Sequence, residues 1–215
     1  MSLTFYYGSG SPYSWRVFLA LEHKRVPYEP ELLSFSKGEH RSPEYSKVNP
    51  RHQVPAITDG NFSLYESSAI LEYLEERFPE GPSLFPGDVR NRALVRRLIA
   101  EADHHMGSKN EKLVAEFFFK QDTQARNREV IEKATKALRF ELEWLEATLE
   151  RDFAAGEPSA ADFTLYPFVV THARFELRDP DLGLTAARGP RTRAWMARIE
   201  ALPYFDKTYP PHWRG

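Results

Sequence analysis

Cysteine is absent from the 215-residue sequence. A chain without cysteine forms no disulfide bond, offers no thiolate ligand to a metal, and has no thiol nucleophile of its own. Any thiol chemistry at this protein therefore has to use a thiol that a bound molecule supplies.

Strong net charge and long apolar segments are also missing. The formal net charge is −2 and the pI is about 6.4, so electrostatics gives no reason to expect nucleic acid or an anionic membrane as a partner. No apolar run approaches the roughly 18 residues that span a bilayer, and the start Met1-Ser2-Leu3-Thr4 lacks a basic and apolar leader. We therefore expect a cytoplasmic protein with no membrane and no nucleic-acid partner.

The sequence also lacks internal repeats, a nucleotide-binding fingerprint and a convincing metal-binding pattern. His104 and His105 are adjacent, so on a helix their side chains point about 100° apart. No His-x-x-x-His pair or acidic cluster accompanies them, and we predict that the protein holds no metal.

The first motif that carries chemistry is Ser11-Pro12-Tyr13. It follows a β-branched and aromatic run at 3–7 and the flexible Gly8-Ser9-Gly10, and an amphipathic stretch continues to Leu21, which predicts strand, turn and helix. Proline suits the first helical position, and the serine before it suits the N-cap. The Ser11 hydroxyl is then expected at the positive end of a helix, where an anion is stabilised.

Two further motifs predict backbone that can hold a ligand. Val54-Pro55 stands between a polar loop and a predicted strand, where a cis bond would expose the N–H and C=O of the preceding residue; the sequence leaves cis and trans open. After a predicted hairpin, Ser67 can cap a helix whose free N–H groups bind a carboxylate. Glu66 beside it can hold an ammonium group, so the pair suits the head of an amino acid.

The second half of the chain predicts helices. Two prolines and a glycine between residues 78 and 82 break the pattern, and Asp88 can cap a long helix beyond them. Apolar residues three or four apart from Ile131 to Leu149 predict another. Ser159 and Asp162 have the spacing of a capping box at the start of an apolar helix.

In combination and in this order, the motifs resemble those of the soluble glutathione transferases. The matching segments are S-P-Y-S-W-R-V at 11–17, G-E-H at 38–40, N-P-R-H-Q-V-P at 49–55 and Y-E-S-S-A-I at 65–70, and the resemblance covers essentially the whole chain. G-E-H and N-P-x-H-x-V-P are most similar to the delta and theta classes, whereas S-W-R-V is similar to the zeta class. The class therefore stays open.

The resemblance implies an α/β thioredoxin-like N-terminal domain plus an all-α C-terminal helical domain. Residues 1–78 would form the thioredoxin-like glutathione-binding domain, 79–88 a linker, and 89–215 the all-helical domain with the hydrophobic co-substrate site. Family members of this kind work as homodimers with glutathione as co-substrate and without a metal.

The same resemblance assigns roles to individual residues. Ser11 would be catalytic, because a hydroxyl donor beside the glutathione sulfur favours thiolate over a thiol whose pKa is otherwise about 8.5. Tyr7 and Ser14 are the two other hydroxyls that could take this part, and the S-P-Y motif favours Ser11. Glutathione would be bound by His40, His52, Gln53, Val54, Pro55, Glu66, Ser67 and Asp103, the last reaching the γ-glutamyl ammonium across the dimer interface. The pocket for the electrophilic co-substrate would be lined by Tyr13, Glu101, His105, Met106 and Arg174.

Three functions are compatible with the resemblance. We expect a conjugating transferase that attacks small hydrophobic electrophiles in detoxification. A glutathione-dependent maleylacetoacetate-type cis-trans isomerase is the second possibility, and a non-catalytic glutathione-binding or ligand-carrier protein is the third. Arg174 resembles the zeta-class arginine that binds a substrate carboxylate and favours the isomerase, whereas Tyr13 stands where the zeta-class loop has cysteine and argues against it.

Overall fold

The computed structural model describes residues 3–120 and 122–214, which divide into two compact units. The first unit contains the described residues up to Pro86 together with those from Leu202 onward, and the second is Gly87–Ala201. None of the described helices has both the length and the apolar character that a membrane-spanning helix needs.

The first unit is built on a four-stranded sheet in the order β2-β1-β3-β4. Its strands are β1 Leu3–Tyr7, β2 Tyr28–Leu32, β3 Ala56–Asp59 and β4 Phe62–Tyr65. β1 pairs parallel with β2 and antiparallel with β3, and β3 pairs antiparallel with β4. A parallel pair requires a crossover connection, which α1 (Pro12–Lys24) supplies. The helices α2 (Pro43–Val48) and α3 (Ser67–Arg77) complete the predicted thioredoxin-like arrangement.

The segment after α3 stays with the first unit instead of forming the predicted linker. Lys24 Nζ donates to Glu75 Oε2 at 2.8 Å and to the Pro82 carbonyl at 3.2 Å, and Leu84 N donates to the same Glu75 oxygen at 2.9 Å. Leu84 itself is fully buried. The prolines therefore end α3, while a buried ion pair keeps residues 79–86 on the first unit.

The C-terminal residues 202–214, which the prediction gave to the helical domain, also group with the first unit. Trp15 of α1 donates its indole N–H to Thr208 Oγ1 at 2.9 Å. The Trp15 ring also packs against three aromatic rings at centroid distances of 5.5–6.1 Å, those of Phe205, Tyr209 and Trp213. The boundary differs from the predicted one because α1 presents an aromatic surface to which this late segment returns, including the short helix α9 (Phe205–Thr208).

The second unit is helical, as predicted. Its α-helices are α4 (Val89–Glu101), α5 (Ser108–Val114), α6 (Arg128–Thr148), α7 (Ala160–Glu176) and α8 (Pro190–Glu200). Two π-helical segments, Ala102–Gly107 and Ala115–Phe119, flank α5. The apolar stripe of α6 is buried through Leu138, Leu142 and Leu145, each with no exposed surface.

The predicted capping box at Ser159 and Asp162 is present at the start of α7. The Asp162 carboxylate is completely buried and accepts from Ala154 N, from the N–H and hydroxyl of Ser159, and from Trp195 Nε1, all within 3.0 Å. Burial raises the pKa of this carboxyl, while the hydrogen bonds favour its charged form. The box therefore joins α7 to the preceding loop and to α8.

Candidate functional site

Ser11 is the N-cap of α1, with Pro12 at the first helical position as predicted. Its Oγ accepts from Ser14 N at 3.3 Å, and its carbonyl accepts from Trp15 N at 2.9 Å. The side chain is half-buried, and the described residues supply no acceptor for its hydroxyl hydrogen. Ser11 can therefore donate a hydrogen bond to a bound anion at the positive end of α1.

The two other hydroxyls have less suitable environments. Ser14 is 2% exposed, and its Oγ already accepts from Gly8 N at 3.2 Å. The Tyr7 ring packs against Phe5 and Phe18 at centroid distances of 5.3 and 5.5 Å, and burial raises the pKa of its phenol. Ser11, in contrast, lies at the positive end of α1, where an anion is stabilised, so its position favours Ser11.

The loop before β3 contains a cis peptide bond between Val54 and Pro55, which answers the question that the sequence left open. The Gln53 carbonyl accepts from Tyr45 Oη at 2.5 Å and from Asn49 Nδ2 at 2.8 Å. Pro55 is buried, Val54 is half-buried and the Gln53 side chain is exposed. Tyr45 of α2 and Asn49, the residue after α2, thus fix the loop through the Gln53 carbonyl, while Val54 stays partly accessible.

The predicted helix end at Glu66 and Ser67 differs from expectation by one residue. α3 begins at Ser67, and Glu66 is the N-cap residue, with φ 69° and ψ 104° and no side-chain capping bond. Ser67 is therefore not the N-cap, because the positive φ at Glu66 starts the helix one residue earlier than expected. Ser67 instead lies in the first turn of α3 and is 8% exposed. A glutamate held at positive φ costs about 1–3 kcal/mol, and such strain is common at ligand sites.

The strand register brings these motifs together at one end of the sheet. Tyr6 of β1 lies opposite Ala56 of β3, and Ala56 lies opposite Tyr65 of β4. Tyr7 at the end of β1 pairs with Leu32 at the end of β2. Four segments therefore lie at this end of the sheet: the turn before Ser11, the cis-proline loop, the start of α3 and the loop after β2.

Phe35, in the loop after β2, is a site residue that the sequence analysis missed. A Cβ on Gly8 would lie 2.5 Å from Phe35 Cζ and 3.1 Å from Val54 Cγ2, so the phenyl ring and the cis-proline loop both approach the turn closely. The ring is 49% exposed and packs edge-on against His40 with centroids 5.3 Å apart. The sequence signal that could have indicated Phe35 is an apolar residue inside the polar run Ser34-Phe35-Ser36-Lys37.

The two predicted histidines lie in the same part of the first unit. Burial, with smaller contributions from the charges of Arg41 and His52, lowers the pKa of His40. His52 is exposed, has φ 58°, and places Nδ1 3.4 Å from Ser46 Oγ. His40 is therefore mainly neutral at pH 7, and either ring can donate a hydrogen bond to a carboxylate.

The remaining predicted residues are Tyr13 in the first unit and five residues in the second. Tyr13 is half-buried, with the guanidinium carbon of the fully buried Arg16 4.9 Å from its ring centroid. In the second unit, His105 is exposed, and Glu101, Asp103 and Arg174 are half-buried. Met106 is 1% exposed and packs in the core of the second unit.

Comparison with known proteins decides the family. Models of the glutathione S-transferase N-terminal and C-terminal domains match residues 10–77 and 128–198. The chain is 32% identical to glutathione S-transferase A of Pleuronectes platessa over 98% of its own length and 92% of that protein. The chain belongs to the glutathione S-transferase family. The predicted fold and the predicted transferase activity with glutathione as co-substrate are thereby confirmed.

Two other similarities concern glutathione binding and the type of reaction. A glutathione transferase of Burkholderia graminis, solved with two glutathione molecules bound per subunit, is 25% identical with a TM-score of 0.85, covering 100% of this chain and 90% of that one. Probable maleylacetoacetate isomerase 2 of Drosophila melanogaster is 46% identical over 88 residues, 40% of this chain and 38% of that protein.

Proposed function

We propose that this glutathione transferase conjugates glutathione to small hydrophobic electrophiles, with Ser11 stabilising the reacting thiolate. The observation that carries the proposal is the meeting of the Ser11 turn, the cis-proline loop and the Glu66–Ser67 turn at one end of the sheet. Together they offer a hydroxyl donor, exposed loop backbone, a carboxylate and free helix N–H groups. These are complementary to a thiol, a peptide backbone, an ammonium and a carboxylate, which are the groups of glutathione.

In the proposed reaction the S–H bond of glutathione breaks and its proton leaves to water. The Ser11 hydroxyl donates to the sulfur, and the α1 N-terminus adds a favourable field, so that the thiolate forms at lower pH. The thiolate electron pair then forms a C–S bond with the electrophilic carbon, and the leaving group departs with its bonding pair. Ser11 stays protonated throughout, because it acts as a donor and not as a base.

The other groups would orient the tripeptide. Val54 holds the cysteinyl backbone, Glu66 the γ-glutamyl ammonium and Ser67 the neighbouring carboxylate. His40 and His52 lie near the glycine carboxylate, with Gln53 and Pro55 shaping the loop between them. A carboxylate held by Ser67 and the first N–H groups of α3 gains charge-assisted hydrogen bonds, which are stronger than neutral ones.

Five other residues belong to the proposed co-substrate and dimer contacts. Tyr13 is the electrophile-contacting residue proposed in the first unit, and Glu101, His105 and Arg174 are those proposed in the second. The working form would be a cytoplasmic homodimer in which Asp103 of one copy assists the γ-glutamyl site of the other. Substitution of these residues tests the proposed contacts.

The isomerase remains a second candidate because of the similarity to the Drosophila protein over 88 residues. A panel of aryl halide, epoxide, peroxide and maleylacetoacetate substrates with glutathione separates the alternatives. Turnover of a halide or epoxide supports conjugation, and turnover of maleylacetoacetate alone supports the isomerase. Tight glutathione binding by calorimetry without any turnover would contradict both and favour a carrier.

A further inference from the structure

His212, near the C-terminus, contacts the turn that precedes Ser11. It lies on the short 3-10 turn Pro211–Trp213, and its Nδ1 is 3.0 Å from Ser9 Oγ, a hydrogen-bond distance. Gly10 has φ 84°, and a Cβ on it would lie 3.2 Å from His212 Cε1 and Nε2 and 3.3 Å from Trp213 Cζ2. The edges of the imidazole and indole rings therefore cover Gly10, the residue directly before the proposed thiolate donor.

The residues around His212 are fixed to the same helix that Ser11 caps. The Trp213 ring packs edge-on against Trp15 of α1 with centroids 5.5 Å apart, and Trp213 N donates to the Pro210 carbonyl at 3.0 Å. Earlier in the segment, Lys207 Nζ lies 2.6 Å from Glu22 Oε1 on α1. His212 is thus presented to the turn by a segment that is anchored on α1.

The turn itself has little intrinsic order. Gly8 and Gly10 flank Ser9, and glycine has the greatest backbone freedom of any residue. Ser11 N donates to the Gly8 carbonyl at 3.1 Å and Gly8 N donates to Ser14 Oγ at 3.2 Å, but neither bond involves Ser9 or Gly10. Contacts to the side chain of Ser9 and to the face of Gly10 restrict the two residues whose freedom would otherwise let Ser11 move.

We propose that His212 is a positioning residue of the thiolate site, acting through Ser9 and Gly10 to keep the Ser11 hydroxyl aligned with the glutathione sulfur. The inference rests on the proposed role of Ser11. A hydrogen bond weakens steeply as its angle departs from linearity, so looser positioning of Ser11 weakens its bond to the thiolate. Loss of the His212 contacts should therefore change the pKa of the bound thiol. It should change glutathione affinity little, because other residues bind the two ends of glutathione.

The main test compares wild type with His212→Ala and Ser9→Ala. Thiolate absorbance in the ultraviolet gives the pKa of bound glutathione, and steady-state kinetics gives kcat and KM. One exposed neutral hydrogen bond corresponds to about a three- to tenfold effect, so we expect the bound-thiol pKa to rise by about 0.5–1 unit and kcat to fall about three- to tenfold. The KM for glutathione should stay within about twofold. The double variant should lose little more than either single one, because both act through one contact.

Two further variants separate positioning from stability. Ser42→Ala removes the cap of α2 and leaves residues 202–214 and their contacts with α1 intact, so it should lower the melting temperature and leave the bound-thiol pKa unchanged. His212→Asn can place an amide group near the position of Nδ1 and should restore part of the activity. If His212→Ala does not fold, Ser9→Ala gives the same readout with the tail intact.

The outcomes distinguish this inference from the function on which it rests. Wild-type turnover with an unchanged bound-thiol pKa in both His212→Ala and Ser9→Ala would overturn the positioning role alone. A fall in melting temperature without a shift in that pKa would also overturn it. Absence of a bound thiolate in wild type would refute the proposed function and this inference with it.

Discussion

Replacement of Ser11 by alanine should raise the pKa of bound glutathione and remove most of the turnover. A hydrogen bond from a hydroxyl to a charged acceptor contributes about 1.5–3 kcal/mol, which corresponds to about one to two pKa units. Because the thiol pKa would move back towards about 8.5, the thiolate fraction at a pH well below both the wild-type and the variant pKa should fall about 10- to 100-fold. Glutathione affinity should change only a few-fold, since the hydroxyl acts mainly on the reacting sulfur.

The same substitution also removes a helix cap, and the two effects have to be separated. Ser11 Oγ accepts from Ser14 N, so its loss should lower the free energy of unfolding by about 0.5–2 kcal/mol. Ser42 provides a matched control: it caps α2, is also followed by proline, and its Oγ accepts from Tyr45 N at 3.1 Å. Ser42→Ala should lower stability by a similar amount and leave the bound-thiol pKa unchanged. Ser11→Thr keeps both the cap and the hydroxyl and should retain a large part of the activity.

Three measurements on the same preparations decide this prediction. Ultraviolet titration of the thiolate gives the pKa, aryl halide kinetics gives kcat, and urea unfolding gives the stability. If Ser11→Ala titrated like wild type and kept its kcat, the reasoning would be refuted and Tyr7 would become the first alternative. A loss of activity proportional to the loss of stability, with equal losses in Ser42→Ala, would assign Ser11 a structural role.

Three other substitutions test the remaining assignments. Ser67→Ala should weaken calorimetric glutathione binding by about 1.5–3 kcal/mol, and unchanged affinity would place the carboxylate site elsewhere. Asp162→Ala leaves the buried donors Ala154 N and Trp195 Nε1 without their acceptor, so urea unfolding should show a loss of at least about 3 kcal/mol; a loss below about 1 kcal/mol would contradict the buried-network argument. Sedimentation should report about twice the 24.9 kDa chain mass, and Asp103→Asn should weaken glutathione binding at the same mass; a monomer with full affinity would defeat the dimer proposal.

The parts of the structure that depend on local rules could be predicted from the sequence. β1 begins and ends at the expected residues, Ser11 and Asp88 cap the helices that they precede, and the Ser159–Asp162 box is formed. For the two caps and the box, the deciding interaction joins residues three positions apart. Such interactions are visible in the sequence because the spacing itself is the signal.

The parts that depend on distant residues could not be predicted. The return of the C-terminal segment depends on the aromatic surface of Trp15, about 190 positions earlier, which no local pattern reports. Phe35 contributes through its close approach to Gly8, and that approach follows from sheet register. The one-residue error at Ser67 arose because capping preference favours serine, whereas the backbone there takes a positive φ at Glu66 that propensity disfavours.

Positive φ angles in non-glycine residues connect stability with the candidate site. Three described residues of this kind occur, Arg25, His52 and Glu66, and the last two belong to the proposed glutathione contacts. Strained backbone persists only where the surrounding structure holds it, at about 1–3 kcal/mol for each residue. Here β3, with Ile57 fully buried, follows the His52 loop, and the β3–β4 pairing directly precedes Glu66. A change that loosens this hairpin would relax both strained residues together, so glutathione affinity should be lost before the sheet unfolds.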